Sequence, residues 1–396
     1  MNIETEIVRV MTPGQGEVAI GGYCDPAFAS LRDAFVENFV DRGEIGAAVS
    51  LYRDGEKIVD LWGGWMDEAH SHPWREDTLC SVYSISKSMC ALCTHILIER
   101  GLIDLEAPVA TYWPEFAQNG KGAIKVRHVL GHYCGVIFND SAKPGDIYDW
   151  PAMISAIEQQ APAWPPETKG AYNSVNFGFI QGELIRRVDG RMVDVFLKEE
   201  VCDPLGVEFL FATGLADLGR VADMIDNPAN AQYLNAGSGQ TNVGRAWNAM
   251  PIPRNASMVN EGHRRRGLYP SGGGFTTARA IARILAMLGN GGEMDGVRIV
   301  SPETVARLST EQWEEEADGM MGVHIRMGLG FMKNSPPDIP MGLNPEAFGH
   351  YGSNGALAFA DRERGIAFGC TTNFVAAGAG VGDRTKALVA AVFDHI

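Results

Sequence analysis

Tyr83-Ser84-Ile85-Ser86-Lys87 leads into an apolar run, Met89–Ile98, which stops shortly before Gly101. The run predicts a helix that begins near Ser84, and a Lys one turn after a Ser lies on the same face of a helix. Burial against apolar neighbours lowers the pKa of a lysine, so Lys87 can take the proton of the Ser84 hydroxyl. The helix N-terminus adds N–H donors where an oxyanion would develop. This stretch therefore predicts a serine nucleophile activated by a lysine.

Two further segments strengthen this interpretation, because a lone Ser-x-x-Lys tetrapeptide is a weak signal that often arises by chance. The first is Tyr172-Asn173-Ser174, which precedes an apolar, helix-like stretch. The second is Gly349-His350-Tyr351-Gly352-Ser353-Asn354-Gly355, which runs directly into the strand-like Ala356–Asp361.

The order Ser-x-x-Lys, then Tyr-x-Asn/Ser, then Lys/His-x-Gly on a strand resembles that of the penicillin-recognising serine hydrolases. Among these, the chain is most similar to class C β-lactamases and the related family VIII carboxylesterases. Three other segments resemble that family and extend the matches, in the right order, from about Ala47 to Asn373: Val126–Val136, Asp203–Gly206 and Ser271–Ala278.

The resemblance implies a role for each matched position. Ser84 is the nucleophile, and Lys87 and Tyr172 form the proton-handling pair. A Tyr hydroxyl near a Lys ammonium has its anion favoured, so either side chain is a candidate for the base, and the sequence does not choose between them. The backbone N–H groups of Ser84 and Ser353 are expected to form the oxyanion hole, and Gly352 allows the strand to approach the acyl group closely.

Two positions depart from the β-lactamase pattern. Ser174 stands where β-lactamases usually carry Asn, and His350 stands where they carry a Lys that binds the substrate carboxylate. A neutral imidazole binds a carboxylate less well than an ammonium does at pH 7. We therefore expect Ser174, His350, Tyr351 and Gly352 to line a substrate site suited to an uncharged ester.

The pattern along the chain predicts an α/β (α+β) protein of the β-lactamase-like fold. Strand and helix signals occur at both ends, whereas the middle is mostly helical, which favours one antiparallel sheet completed by both termini. The predicted sheet domain comprises residues 1–83 and 267–396. The predicted helical domain comprises residues 84–266, with the active site in the cleft between the two domains.

Composition narrows the partners and the compartment. The formal net charge is 33 − 49 = −16, which argues against nucleic acid and anionic membranes as partners. The N-terminus lacks the apolar core of a secretory signal, and the seven cysteines form no disulfide-like pattern, so we expect a cytoplasmic protein. His70-Ser71-His72 lacks the partners of a metal site, and we expect neither metal nor cofactor.

Other enzyme classes fit less well. Tyr83 and Lys87 also spell the Tyr-x-x-x-Lys pair of short-chain dehydrogenases, but the Gly-rich dinucleotide turn is missing. No serine lies in the Gly-x-Ser-x-Gly of α/β-hydrolases. The sequence thus predicts a serine carboxylesterase acting on small uncharged esters. The alternatives are β-lactam, amide or peptide hydrolysis, acyl transfer at the same site, or a catalytically inactive ligand-binding homologue. The oligomeric state and the physiological substrate stay open.

Overall fold

A large antiparallel sheet built from both ends of the chain dominates the computed structural model, which describes residues 6–211, 215–230, 241–261, 265–378 and 380–394. The described strands are β1 (Glu6–Thr12), β2 (Gly16–Cys24), β3 (Gly46–Arg53), β4 (Glu56–Gly64), β5 (Cys80–Tyr83), β6 (Phe209–Leu210), β7 (Gly274–Thr276), β8 (Glu293–Met294), β9 (Val297–Arg298), β10 (Trp313–Glu315), β11 (Ile325–Met327), β12 (Met332–Lys333), β13 (Phe348–Tyr351), β14 (Leu357–Asp361) and β15 (Ile366–Thr372).

The described α-helices fall mostly between β5 and β7. They are α1 (Ala29–Val40), α2 (Ile85–Glu99), α3 (Val126–Leu130), α4 (Trp150–Gln159), α5 (Asn176–Asp189), α6 (Val193–Leu197), α7 (Asp203–Leu205), α8 (Asn242–Ala246), α9 (Ala278–Gly289), α10 (Pro302–Leu308) and α11 (Gly382–Phe393).

The described strands of the large sheet lie in the order β1-β2-β4-β3-β15-β14-β13-β12-β11-β10. Its centre joins the two ends of the chain, because β3 pairs antiparallel with β15, with Ser50 opposite Gly369. A smaller sheet, in the order β5-β7-β6, lies beside it and carries the residues that precede Ser84. The antiparallel sheet completed by both termini agrees with the sequence-based expectation.

Helices cover both faces of the large sheet. On β14, Phe359 stacks on Phe393 of α11, with ring centroids 6.4 Å apart, whereas the adjacent Ala360 lies against Gly289 of α9. Because successive residues of a strand point to opposite faces, α11 and α9 cover opposite faces. Helix α1 lies with α11, since the Asn38 amide donates to a carbonyl oxygen of α11 over 3.1 Å.

Helix α2 is buried along almost its whole length, from Ile85 to Leu97, as expected of a helix that is apolar all round. Its polar side chains are used for anchoring. The Thr94 hydroxyl donates to the Gln181 side chain of α5 over 2.7 Å, and the His95 ring contacts the Leu329 carbonyl oxygen over 2.9 Å. The C-terminal half of α2 is therefore anchored to α5 and to the segment that leads into β12.

Candidate active site

The Ser84 side chain lies at a sharp turn between β5 and α2. Tyr83 has a positive φ of 44°, an uncommon conformation for a residue with a side chain, and such positions often occur at functional sites. The Ser86 hydroxyl holds this turn, because it donates to the Tyr83 carbonyl oxygen over 2.5 Å and accepts from the Gly274 N–H over 2.9 Å. Ser84 itself is half-buried.

The Lys87 amine meets the Ser84 hydroxyl directly. Its Nζ lies 3.0 Å from Ser84 Oγ and donates to the Ser271 carbonyl oxygen over 2.8 Å. Lys87 is fully buried, and no carboxylate of the described chain pairs with it. Burial therefore lowers the pKa of Lys87 to about 7. Near neutral pH a large fraction of Lys87 is an amine whose lone pair can accept the serine proton.

The Tyr172 ring packs against the same amine, with Lys87 Nζ 5.0 Å from the ring centroid. Its hydroxyl is buried, and no described residue forms a well-aligned hydrogen bond with it, although Ser84 is close enough to favour the phenolate slightly. Burial dominates and raises the pKa of Tyr172 well above its usual value, with Tyr351 and Asp318 adding to the rise. This direction is opposite to the one expected from the sequence, because the desolvation of the buried phenol outweighs the contributions of its neighbours.

The backbone around Tyr172 is fixed from two sides. The imidazole of His132 stacks on the Tyr172 ring with centroids 5.2 Å apart, and its Nδ1 accepts the Asn173 N–H over 2.9 Å. The Asn173 side chain donates to the Val136 carbonyl oxygen over 3.0 Å. Burial keeps the pKa of His132 well below its usual value, so the ring is neutral.

The end of β13 approaches the nucleophile turn closely at Gly352. A Cβ atom at this position would lie 2.5 Å from the Val82 carbonyl oxygen, so only glycine fits without a shift. The Asn354 side chain fixes the approach by donating to the carbonyl oxygens of Ser81 and Thr372, each over 2.9 Å. The end of β13 is thereby held against β5, the strand that leads into Ser84.

His350 is buried at the end of β13, beside Tyr172. Its Nδ1–H donates to the Tyr351 carbonyl oxygen over 2.7 Å, which leaves Nε2 as a bare acceptor. Burial, with a further contribution from Lys87, lowers the pKa of His350 to about 3. The ring is therefore neutral at any pH near 7, as the sequence predicted. The buried Tyr351 lies next to it, with ring centroids 6.1 Å apart.

Ser174 contacts a tryptophan from a distant part of the chain. It is buried, and its hydroxyl accepts from the indole N–H of Trp247 over 3.2 Å. Sequence reasoning did not single out Trp247, which follows α8 and has no motif around it. The pair places an aromatic wall next to the Tyr172 segment.

Three other positions were missed as site residues. The Ser271 carbonyl anchors Lys87, and the Ser86 and Asn354 side chains hold the turns that carry Ser84 and Ser353. Ser86, Ser271 and Asn354 all lie inside the motifs identified in the sequence, so the motifs could have pointed to them. The contacts that these residues make could not be predicted, because they involve backbone carbonyl oxygens, which any residue type carries.

Two broader features of the described residues bear on the site's chemistry and setting. Within the described ranges, no three or more His, Cys, Asp or Glu side chains are grouped in a way that could hold a metal ion. Among the described helices, none combines the length and apolar character needed to cross a membrane.

Comparison with known proteins places the chain in a family of serine hydrolases. The beta-lactamase family matches residues 32–392, and the chain belongs to this family. The chain is 35% identical over 361 residues to the Mycobacterium tuberculosis protein named esterase/beta-lactamase LipL, covering 89% of this chain and 82% of the relative.

Solved structures agree with the sequence match. A family VIII carboxylesterase has a TM-score of 0.86 and 34% identity, with 95% of this chain and 100% of that chain covered. A penicillin-binding protein homologue from Caulobacter crescentus has the same TM-score and coverage at 32% identity. The predicted β-lactamase-like fold and the resemblance to family VIII carboxylesterases are thereby confirmed.

Proposed function

We propose that this protein is a carboxylesterase that hydrolyses small uncharged esters through an acyl-enzyme on Ser84. The observation that carries the proposal is the 3.0 Å contact between Ser84 Oγ and the buried amine of Lys87, whose pKa lies near 7. A serine hydroxyl needs such an adjacent base, and a lysine serves as one only when its pKa is depressed. The names of the esterase relatives agree with this chemistry.

In the acylation step, Ser84 Oγ attacks the ester carbonyl carbon while its proton moves to the neutral Lys87 Nζ. The carbonyl oxygen becomes an oxyanion that accepts from the N–H groups of Ser84 and Ser353. When the tetrahedral intermediate collapses, the bond from the acyl carbon to the alcohol oxygen breaks. The alcohol oxygen takes a proton from the Tyr172 hydroxyl, and the Lys87 ammonium returns a proton to Tyr172. The raised pKa of Tyr172 favours this donor role, because it keeps the phenol protonated.

In the deacylation step the same groups act in reverse. A water molecule attacks the acyl carbon and gives a proton to the pair formed by Lys87 and Tyr172, and the bond between Ser84 Oγ and the acyl carbon breaks. Ser84 Oγ takes back a proton, which regenerates the free enzyme. Lys87 and Tyr172 thus act as a unit through which one proton passes in each half-reaction.

The substrate class follows from the charge at β13. His350 is neutral and buried, so the strand offers an acceptor, Nε2, and no cation for a substrate carboxylate. Losing one charge-assisted hydrogen bond costs about 1.5–3 kcal/mol, or roughly ten- to a hundredfold in binding. An uncharged ester needs no such contact, whereas a cephalosporin brings a carboxylate.

The test is a panel of p-nitrophenyl esters of rising chain length beside a chromogenic cephalosporin, with wild type and Ser84→Ala compared. We expect kcat/KM for short esters to exceed that for the cephalosporin by roughly ten- to a hundredfold. Ser84→Ala should lose ester turnover and keep its circular dichroism spectrum and Tm, because a half-buried hydroxyl contributes little to stability.

Covalent labelling locates the nucleophile independently of the substrate. A fluorophosphonate should add once, on Ser84, as read by mass spectrometry of peptides. An adduct on another residue, or full ester turnover in Ser84→Ala, would show that Ser84 is not the nucleophile. Equal rates on cephalosporin and esters would instead favour β-lactam hydrolysis, the other activity in the name of the Mycobacterium tuberculosis relative.

A further inference from the structure

We infer that Asp318 is a positioning residue for the reaction: its buried carboxylate holds the backbone of Tyr172 in place and so aims the Tyr172 hydroxyl at the cleft. The inference rests on the proposed ester hydrolysis at Ser84. Asp318 lies in the connection between β10 and β11, outside every motif that marks the family in this sequence.

The Asp318 carboxylate is saturated with backbone donors. One oxygen, Oδ2, accepts the N–H of Tyr172 over 2.8 Å and that of Met320 over 3.0 Å. The other oxygen, Oδ1, accepts the N–H groups of Met321 over 2.7 Å and Gly322 over 2.9 Å. The side chain is only 4% exposed. A buried carboxylate with four donors ties the Tyr172 backbone to a compact turn of its own chain.

A second contact presses the same two segments together. The Gly319 N–H donates to the Gly170 carbonyl oxygen over 3.2 Å. A Cβ atom at Gly319 would lie 3.1 Å from the Ala171 Cβ, which is tighter than ordinary packing. The turn at 318–322 therefore lies directly against the residues that lead into Tyr172.

The contact is specific for a carboxylate. Both oxygens of Asp318 face N–H donors, so an Asn amide in either orientation would turn its NH₂ group toward two of them. Asp318→Asn therefore loses two hydrogen bonds and introduces donor–donor repulsion while keeping the size of the side chain. A displacement of the Tyr172 hydroxyl of about 1 Å is enough to cost up to about a hundredfold in rate.

The experiment is a double-mutant cycle with Asp318→Asn and Tyr172→Phe, using p-nitrophenyl butyrate and enzyme concentrations set by fluorophosphonate titration of active sites. We expect Asp318→Asn to lower kcat by about ten- to a hundredfold with KM changed less than about twofold. If Asp318 acts through the Tyr172 hydroxyl, the double variant should be no slower than Tyr172→Phe alone. If Asp318→Asn instead disturbed the structure in general, the loss of kcat in the double variant would be the product of the losses in the two single variants.

A matched control is Asp361→Asn. Asp361 is also fully buried and caps a turn, accepting the Glu363 N–H over 3.1 Å and the Asn344 side-chain amide over 2.8 Å, at the end of β14. It should lower Tm and leave kcat per active site unchanged. If Asp318→Asn does not fold, Gly319→Ala makes a second test of the same packing, because its Cβ would lie 3.1 Å from the Ala171 Cβ and 3.2 Å from the Gly170 carbonyl oxygen.

The outcomes separate the two claims. Suppose that Ser84→Ala abolishes the turnover of the wild-type enzyme. An unchanged kcat in Asp318→Asn, or multiplied losses in the double variant, would then overturn the positioning role of Asp318 and leave the esterase function standing. A wild-type enzyme with no ester turnover and no fluorophosphonate adduct on Ser84 would overturn both.

Discussion

At the scale of single residues, the chemistry of the site depends on how Lys87 is buried. No described carboxylate pairs with its amine, and the hydrogen bonds it makes are to a hydroxyl and a carbonyl oxygen. Its depressed pKa therefore comes from desolvation. The lowered pKa of Lys87 and the raised pKa of Tyr172 support the proposal that Lys87 is the base and Tyr172 the proton donor, a choice that the motif spacing left open.

The pH dependence of the reaction should follow Lys87. Below its pKa of about 7 the lysine is protonated and cannot accept the Ser84 proton, whereas above it the amine is free. We expect kcat/KM for a neutral ester to rise with pH between about 6 and 8 and then level off. A pH series of p-nitrophenyl acetate turnover measures this. A profile that is flat across that range would show that another group is the base.

Replacing Lys87 with an apolar residue should abolish turnover and raise the free energy of unfolding. The pKa of Lys87 in the folded protein lies below its unfolded value of 10.5, so burying the protonated lysine destabilises the fold. This destabilisation is complete below pH 7 and decreases as the pH rises toward 10.5. We expect Lys87→Met to be inactive and, at pH 7, more stable by about 1–4 kcal/mol. Urea unfolding at pH 7 and pH 10 measures this, and the gain should shrink at the higher pH. A less stable variant at pH 7 would mean that the hydrogen bonds of Lys87 outweigh its desolvation.

At the scale of elements, the site depends on one close approach between β13 and β5. In the proposed mechanism both strands are needed, because Ser353 follows β13 and Ser84 follows β5. Gly352 allows the approach and Asn354 fixes it. The sequence predicted a close approach of Gly352 to the acyl group, whereas the structure shows its close approach to the Val82 carbonyl oxygen of β5.

Gly352→Ala should therefore damage the reaction by moving the Ser353 N–H. Its Cβ would lie 2.5 Å from the Val82 carbonyl oxygen, and losing one oxyanion donor costs about 100- to 1,000-fold in kcat. We expect a kcat loss approaching that range, measured with p-nitrophenyl butyrate. Gly122→Ala is the control, because the nearest atom to its Cβ would be 3.8 Å away. Wild-type activity in Gly352→Ala would mean that the oxyanion hole lies elsewhere.

At the scale of the whole molecule, the parts that the sequence predicted best were those carried by local patterns. The Ser84 helix and the strand and helix signals at both ends of the chain follow from periodicity within short windows. Asp318 and Trp247 were not predictable in this way, because their partners, Tyr172 and Ser174, lie far away in the chain. The division at residues 84–266 stays a prediction.

The pairing of β3 with β15 also constrains how the protein is made. Arg53 lies opposite Ile366, a separation of 366 − 53 = 313 positions. At about 5–20 residues per second, a ribosome needs roughly 15–60 s to supply the second strand after the first. During that time one edge of β3 has no partner, and an unpaired edge strand is a template for aggregation. We therefore expect a chain that ends before β15 to be more prone to aggregation than the full-length chain.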